Sequence, residues 1–329
     1  MSINQKKTQF MVINSNRHDK ETIHSRGIAV KYCRSYKYLG APITDNGSYL
    51  TMMNLHATDK LKHTIKYYTF LNRNPDVPFT MKKRVAEACV LSSILYGAET
   101  WFTDNFGKVD AMYTKIVKAL LDVRNTLCND TCLIEADMPS LSALVRKKMQ
   151  RYLQEKIPKL QCDDPLWKAI QLCRSVDTKS YRYIQDMLEN QSDIYVEDKL
   201  RRAEELKTSA STKRITFVKI NPSLQQHKVY KNDELPEFKR IEFTRYRLSS
   251  HNLKVETGRW SRTERENRTC SCTAGGVQDE NHVLFKCDLT ANIRERHNIQ
   301  GESLEKLFDE TEDQSLCDIF YELSKIFPK

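Results

Sequence analysis

The sequence has no long uninterrupted hydrophobic run. The longest apolar stretch, around residues 85–102, is interrupted by Glu87, Ser92, Ser93, Glu99 and Thr100. The first residues, Met-Ser-Ile-Asn-Gln-Lys-Lys-Thr, lack the apolar core of a signal peptide. A helix that crosses a membrane needs about 20 consecutive apolar residues. The sequence therefore predicts no membrane-spanning segment and no membrane partner.

Acidic residues are fewer than basic ones. Asp and Glu number 43 against 53 Lys and Arg, which gives a net charge of +10 and a pI of about 9.0. A basic excess attracts phosphate backbones but carries no information about the fold. We therefore predict RNA and DNA as partners, bound without sequence preference and weakened by salt. The oligomeric state stays open.

The sequence also lacks the dense cysteine spacing of a small disulfide-stapled protein. Of its 10 cysteines, seven are scattered along 329 residues, at Cys33, Cys89, Cys128, Cys132, Cys162, Cys173 and Cys317. Chains of this size rarely depend on disulfides for a core, and free thiols are typical of reducing compartments. We expect reduced cysteines and an intracellular location, either nuclear or cytoplasmic.

The remaining cysteines form a cluster with one histidine. Cys270, Cys272, His282 and Cys287 supply three thiols and one imidazole within a short stretch. Thiolate sulfur and neutral imidazole nitrogen suit Zn²⁺, and four such ligands close a structural site. We therefore predict one structural zinc ion. The alternative is a set of unliganded thiols buried as small hydrophobic side chains. The Cys-x-Cys pair is tighter than the usual Cys-x-x-Cys, and Cys317 is a substitute ligand if Cys270 cannot reach.

The segment between these ligands contains a turn and the start of a helix. Gly275 and Gly276 supply the turn, and Val-Leu-Phe after His282 favours a helix that brings His282 and Cys287 onto one face. Large apolar residues are scarce between 265 and 287, so we expect a metal to supply the missing stability. His251 lies near the cluster in sequence, and we interpret it as structural.

The rest of the chain indicates a fold that is mainly α with a small β part, an α+β chain. The strands are predicted at the end of 3–13, at 28–32 and at 36–43. So few short strands are marginal alone. We therefore expect the sequence to be part of something larger.

Apolar residues at helical spacing predict a bundle of helices with short connections. The predicted helices are 49–72, 80–97 with Thr80 as N-cap, 108–123, 140–157, short helices at 167–173, 181–189 and 197–208, and 237–253.

Three motifs resemble one protein family. Asn4-Gln-Lys-Lys-Thr8, Tyr36-Lys-Tyr-Leu-Gly40 and Ile94-Leu-Tyr-Gly-Ala-Glu-Thr-Trp101 resemble, in order and spacing, the rear of the reverse transcriptase of non-LTR retrotransposons. The Cys/His cluster, with Arg247–Arg259 before it, resembles the motif that closes the same polyprotein. The resemblance implies that Lys7 matches the lysine of the fourth palm motif and that Tyr38-Leu39-Gly40 matches the primer-grip turn.

The same resemblance implies a division into five segments. They are a palm remnant at 1–48, a thumb-like helical bundle at 49–160, a basic helical connector at 161–235, an arginine-rich segment with the zinc module at 236–300, and a helical tail at 301–329.

Candidate nucleic-acid contacts follow from the resemblance and from the distribution of basic residues. They are Lys7, Tyr38, Gly40, Lys82, Lys83, Arg245, Arg247, Arg259 and Arg262. Trp260 lies between Arg259 and Arg262, a pattern that permits stacking on an exposed base, although it and Trp101 are also typical core or rim residues. The nine basic residues from Lys199 to Lys231 can track phosphates, or they can form a solvated helix face and linker.

The sequence lacks the paired aspartates that polymerisation needs to hold two magnesium ions. No Asp-Asp turn precedes Asn4, and Asp163-Asp164 lies in a connector. We therefore expect no catalytic residues, no bound Mg²⁺ and no DNA synthesis by this chain alone. The leading interpretation is a truncated, nucleic-acid-binding fragment of such a polymerase. The alternatives are a domesticated stand-alone zinc-containing nucleic-acid-binding protein and a basic helical interaction protein.

Overall fold

The computed structural model describes residues 4, 8–14, 22–25, 27–101, 103–189, 192–301 and 303–328. Helices dominate these residues, and the strands are few and short. The predicted fold class, mainly α with a small β part, is confirmed. No described helix combines the length and the apolar sequence that a membrane crossing requires.

In the part of the chain that the structure describes, the strands form two small sheets. β1 (Gln9–Phe10) runs parallel to β3 (Ile28–Tyr32), and β2 (Ile23–Ser25) runs antiparallel to it, so that β3 is central. In the register, Gln9 lies opposite Lys31 and Ile23 lies opposite Val30. β3 has the bounds predicted for the second strand.

The stretch predicted as one strand at 36–43 is a hairpin, so that prediction is wrong. β4 (Ser35–Tyr38) pairs antiparallel with β5 (Ala41–Thr44). The two residues between them, Leu39 and Gly40, have φ angles of 47° and 91°. Positive φ at both central positions is the geometry of a type I′ two-residue hairpin loop. Period-two spacing continues through such a tight loop, which explains the error.

The α-helices carry most of the chain. In chain order they are α1 (Tyr49–Arg73), α2 (Phe79–Val85), α3 (Ser92–Ile94), α4 (Lys108–Leu120), α5 (Asn129–Glu135), α6 (Leu141–Lys156), α7 (Pro165–Ser175), α8 (Lys179–Glu189), α9 (Ile194–Lys207), α10 (Thr212–Ile220), α11 (Glu237–Arg247), α12 (Lys254–Thr257), α13 (Ala291–Arg296), α14 (Leu304–Glu310) and α15 (Asp313–Ile326).

The helix predicted to start at Thr80 begins slightly earlier. Pro78 is the N-cap of α2, and a π-helical turn at Ala86–Leu91 continues α2 into α3. The Thr80 hydroxyl donates instead to the Asp233 carboxylate, at 2.6 Å. Thr80 is therefore an anchor of α2 rather than its cap.

The described chain forms two compact units, each collected from three stretches. The first contains Met1–Lys66, Ala88–Tyr113 and Leu141–Ile194, and the second contains Tyr67–Glu87, Thr114–Ser140 and Tyr195–Lys329. The five-segment division along the chain stays a prediction.

A buried histidine organises the core of the first unit. His56, on α1, donates from Nε2 to the Ile94 carbonyl at 2.7 Å, and its ring meets Trp101 edge-on at 5.2 Å. Burial lowers the pKa of His56, so the neutral ring is favoured. Trp101 is 4% exposed and is therefore a core residue in this unit.

Aromatic rings form the core of the second unit, where α11 packs against α15. Phe243 on α11 lies 6.1 Å from Phe320 and 5.9 Å from Phe308, between ring centroids. These aromatic contacts hold α11 against α14 and α15.

Two of the buried ion-pair groups in the same unit involve α11. Lys82 Nζ donates to Glu237 at 2.9 Å, and Arg240 Nε donates to the other oxygen of that carboxylate at 2.7 Å. Burial opposes the ionisation of Glu237, but Arg240 and Lys82 hold its pKa below the usual value. Arg247 Nε donates to Glu135 at 2.7 Å, and both side chains are buried.

Candidate metal centre and cationic surface

A short loop holds the first two cysteines. Thr269 and Val277 form an antiparallel bridge, and the Cys270 N–H donates to the Gly276 carbonyl at 2.8 Å. Gly275 and Gly276 have φ angles of 67° and 97°, which the predicted glycine turn requires. The chain thereby reverses between Cys272 and the helical turn that follows.

A helical turn at His282–Lys286 positions the other two ligands. The Cys287 N–H donates to the His282 carbonyl at 2.8 Å, which closes a wide turn of five residues. A turn of this width places residues five apart on one face, and this is the arrangement predicted for His282 and Cys287. The His282 N–H donates to the Asp279 carboxylate at 3.0 Å, which holds the start of the turn.

The four ligand atoms converge. Within the described residues, Cys270, Cys272, His282 and Cys287 are the one group of three or more Cys, His, Asp or Glu side chains close enough to hold a metal ion, and their ligand atoms lie within 4.8 Å of one another. Cys270 Sγ lies 3.7 Å from Cys287 Sγ, and Cys272 Sγ lies 3.2 Å from His282 Nε2. A tetrahedral ion with metal–sulfur bonds of about 2.3 Å separates two sulfur ligands by about 3.8 Å. The donors and their spacing therefore fit a closed four-ligand metal site.

Neighbouring groups distinguish the two closest thiols. Burial opposes the ionisation of Cys270, but hydrogen bonds from the Cys272 backbone and the Gln278 side chain lower its pKa below the usual value. Burial raises the pKa of Cys287 to about 12. A bound cation would remove the remaining protons, because thiols bind metals as thiolates.

A second set of contacts supports the ligands. Gln278 donates from Nε2 to Cys270 Sγ at 3.6 Å, while its Oε1 accepts from the Lys254 N–H at 2.9 Å. Asp288 accepts from the Ala274 N–H at 3.0 Å and from the Thr273 hydroxyl. These contacts attach the loop to α12 and to the segment after Cys287.

His251 and Cys317 lie outside the ligand set. His251 Nε2 donates to Glu280 at 2.8 Å, and its Nδ1 accepts from the Leu253 N–H at 3.3 Å. Both ring nitrogens are therefore engaged, as the structural interpretation predicts. Cys317 is buried in α15. Since Cys270 reaches the cluster, no substitute ligand is needed.

Two of the predicted nucleic-acid contacts in the first unit are at the tip of the β4–β5 hairpin. Tyr38 is 59% exposed. Gly40 packs on Tyr96, whose hydroxyl donates to the Leu39 carbonyl at 2.7 Å. Lys7 lies outside the described residues.

The predicted contacts Lys82 and Arg247 are corrected by their placement. Both are buried in the ion pairs described above, at 4% and 2% exposure, rather than directed toward a phosphate backbone. Lys83 donates to the carbonyls of Ala136 and Asp137 at 3.0 and 2.8 Å, so it caps the C-terminal end of α5.

The arginines that precede the metal cluster differ in solvent exposure and in ion pairing. Arg245 is partly buried and pairs with Asp122 and Glu242. Arg259 is exposed and pairs with Glu256 at 3.1 Å. Arg262 is exposed and has no ion pair within the described part of the chain.

Arg268 has a structural role. It donates to the backbone carbonyls of Val255 and Thr263 at 2.6 and 2.9 Å. Among the arginines that precede the cluster in the chain, Arg259 and Arg265 are exposed and paired, and Arg262 is exposed without an ion pair in the described residues.

Sequence reasoning missed Arg124. Its guanidinium lies 4.8 Å from the centre of the Trp260 ring, although the two residues are far apart in sequence. No spacing rule connects positions so far apart in sequence. The one signal in the sequence was Trp260 itself, which lies between Arg259 and Arg262.

No model of a known protein family matches the chain, and none of the curated proteins compared with it matches either.

Proposed function

We propose that this chain is a nucleic-acid-binding protein whose C-terminal part is organised by one structural zinc ion. The observation that carries the proposal is the convergence of Cys270, Cys272, His282 and Cys287 within 4.8 Å. Three sulfur donors and one imidazole favour Zn²⁺ over harder cations such as Mg²⁺. With four protein ligands, the ion would supply cross-linking and no open position for chemistry.

The Cys270 loop connects the metal site to the exposed arginines. Lys254 and Gln278 connect the Cys270 loop to α12, and Arg259 and Arg262 follow α12 directly. Ordering the loop therefore also orders the exposed arginines. Together with the net charge of +10, this supports contacts to phosphates rather than to base edges.

We propose further that the chain corresponds to the rear of a non-LTR reverse transcriptase, from the last palm strands to the closing Cys/His motif. The support is the order of its three motifs and the cluster after them. On this proposal it holds RNA or DNA without copying it.

The test compares zinc content and RNA binding in three proteins. They are the wild type, Cys287→Ser in the cluster, and Cys162→Ser, which removes an exposed thiol outside it. We expect about one zinc per chain in the wild type and in Cys162→Ser, as a closed structural site requires. Cys287→Ser should hold less than about half as much and should bind labelled single-stranded RNA more weakly.

Two results would contradict the proposal. If the wild type holds no stoichiometric zinc, the proposed metal centre is wrong. If a zinc-free Cys287→Ser protein binds RNA with full affinity, nucleic-acid binding does not depend on the metal.

A further inference from the structure

A cavity of about 580 Å³ opens in the second unit beside Trp260. Side chains of several kinds line it, among them Asp122, Arg124, Arg245, Asn252, Thr257 and Trp260. The cavity therefore combines one large aromatic ring with cationic groups, an amide, a hydroxyl and a carboxylate. Planar heteroaromatic groups with polar edges need this combination of neighbours.

Trp260 has one covered and one open ring face. The Arg124 guanidinium stacks on the Trp260 ring at 4.8 Å from its centre, yet Trp260 is 62% exposed. A large indole with this much exposure in a folded unit is unusual, because burying it would be favourable. Since the guanidinium covers one face, most of the exposed surface belongs to the other face and the edge.

Arg124 is held in place by neutral oxygen atoms. Its Nη2 donates to the carbonyls of Ser249 and His251 at 3.3 and 2.8 Å, and its Nε donates to the Ser250 hydroxyl at 3.3 Å. None of these partners carries a charge. The guanidinium therefore keeps its positive charge behind the ring, and a fixed cation there polarises the indole without closing its open face.

The polar wall contains an amide without a partner. Within the described residues the Asn252 side chain makes no hydrogen bond, and it is only half-exposed. Arg245, by contrast, is already neutralised by Asp122 at 3.0 Å. The Asn252 amide is thus available to a ligand in the cavity, and the exposed Arg262 follows Trp260 by two residues in the chain.

We propose that this cavity receives one unpaired nucleobase of a single-stranded nucleic acid, stacked on the open face of Trp260. The Asn252 amide faces the polar edge of the base, and Arg262 pairs with a neighbouring phosphate. This inference rests on the proposed nucleic-acid binding and assigns it a specific site. Every base has a π-face, so the site tolerates any sequence.

The experiment separates base stacking from phosphate contacts. The probes are two fluorescently labelled oligonucleotides of about ten nucleotides, which is within the site size of single-strand binding folds. One is oligothymidylate, and the other has the same phosphates but no bases. Binding is measured by anisotropy at low salt.

Stacking of one base should make the wild type bind the base-containing probe at least about fivefold tighter than the abasic one. Trp260→Ala should remove this preference and leave affinity for the abasic probe within about twofold, because stacking needs a base. Trp260→Phe should retain part of it. Trp167→Ala, which removes another partly exposed tryptophan on α7, should retain all of it.

The outcomes distinguish this inference from the function on which it rests. If the wild type binds neither probe, the nucleic-acid proposal fails and the stacking site fails with it. If it binds both probes equally, or if Trp260→Ala keeps the preference, only the stacking site is overturned. If Trp260→Ala does not fold, equal binding of both probes by the wild type still overturns the stacking site. Arg124→Gln, which removes the cation behind the ring, is a second variant and should reduce the preference for the base-containing probe.

Discussion

The pair formed by Arg247 and Glu135 is closed off from water by aromatic rings. The Arg247 guanidinium lies 5.6 Å from the centre of Phe308 and 5.9 Å from that of Phe243. The second carboxylate oxygen of Glu135 is buried without a hydrogen-bond partner in the described residues. The arginine is therefore the principal compensation for a fully buried charge.

Removing the arginine alone should destabilise the fold strongly. Arg247→Met leaves Glu135 buried and unpaired, for which we expect a loss of about 3–5 kcal/mol in the free energy of unfolding. Urea denaturation followed by circular dichroism measures it. Adding Glu135→Leu should recover most of the loss, because the double variant buries no charge.

An exposed pair provides the control. Arg182 pairs with Asp177 at 2.6 Å, but both side chains are mostly exposed. Arg182→Met should therefore lower the free energy of unfolding far less than Arg247→Met, because water screens an exposed pair. Equal losses in Arg182→Met and Arg247→Met would mean that burial does not control the cost.

Sequence alone could not assign Arg245 and Arg247 to different environments. Residues two apart on a helix differ in direction by about 200°, so the spacing on α11 shows that Arg245 and Arg247 point to different sides but not which of them faces the core. That depends on Glu135, which is 112 residues away. Basic residues are usually exposed, and the sequence prediction accordingly placed both on the surface.

At the scale of elements, the loop of the metal cluster depends on two glycines at positive φ, and Gly276 is the one beside the His282 ring. Gly276 has a φ of 97°, and an added Cβ would meet the His282 ring at ordinary contact distances, 3.6 Å to Nδ1 and 3.9 Å to Cε1. An alanine there is strained by its backbone conformation rather than by a clash, at a cost of about 1–2 kcal/mol.

Gly276→Ala should therefore weaken zinc binding by roughly 5- to 30-fold, since that strain is incurred when the metal orders the loop. Competition with a colorimetric chelator measures the affinity. Gly301→Ala is the matched control, because Gly301 has a φ of 96° and open space around its Cβ position. It should bind zinc like the wild type, and weakened binding in both variants would argue against a local effect.

Local signals predicted some elements well. α4 begins at Lys108, as expected from its apolar spacing, and α6 lies within the predicted 140–157. The four side chains that converge in the cluster are the four predicted from the sequence, because short-range spacing controls a site built within one segment. The supporting residues Gln278 and Asp288 were missed, since single glutamines and aspartates carry no pattern of their own.

At the scale of the whole molecule, charge is the property most directly readable from the sequence. With a net charge of +10, binding to single-stranded RNA should release several counterions. We expect affinity to fall at least about tenfold between 50 and 200 mM salt. Anisotropy titrations over that range give the slope of log affinity against log salt.

One variant relates the slope to the proposed surface. Arg262→Gln removes an exposed charge and should reduce the magnitude of the slope by about 0.7–0.9. Arg182→Gln removes a charge that is already paired in the first unit and should leave it unchanged. A flat wild-type response would instead favour a basic interaction protein.

The composition of the two units was beyond the reach of sequence patterns. The chain passes from one unit to the other after residues 66, 87, 113, 140 and 194. Several of these positions lie inside helices, such as α1 and α4. Changes in composition and linker sequences mark the ends of helices and strands. They therefore give no sign of a boundary between units that falls inside a helix.

The buried pairs also set an order of events on the ribosome. Lys82 is synthesised 155 residues before Glu237, which is roughly 8–31 s at about 5–20 residues per second. Glu135 similarly precedes Arg247.

The stretches Tyr67–Glu87 and Thr114–Ser140 thus emerge from the ribosome with charged residues whose partners have not yet been synthesised, while Leu141–Ile194 completes the first unit. Nascent chains stalled before residue 237 should therefore expose the early half of the second unit to chaperones and proteases, and completion of α11 should end that exposure.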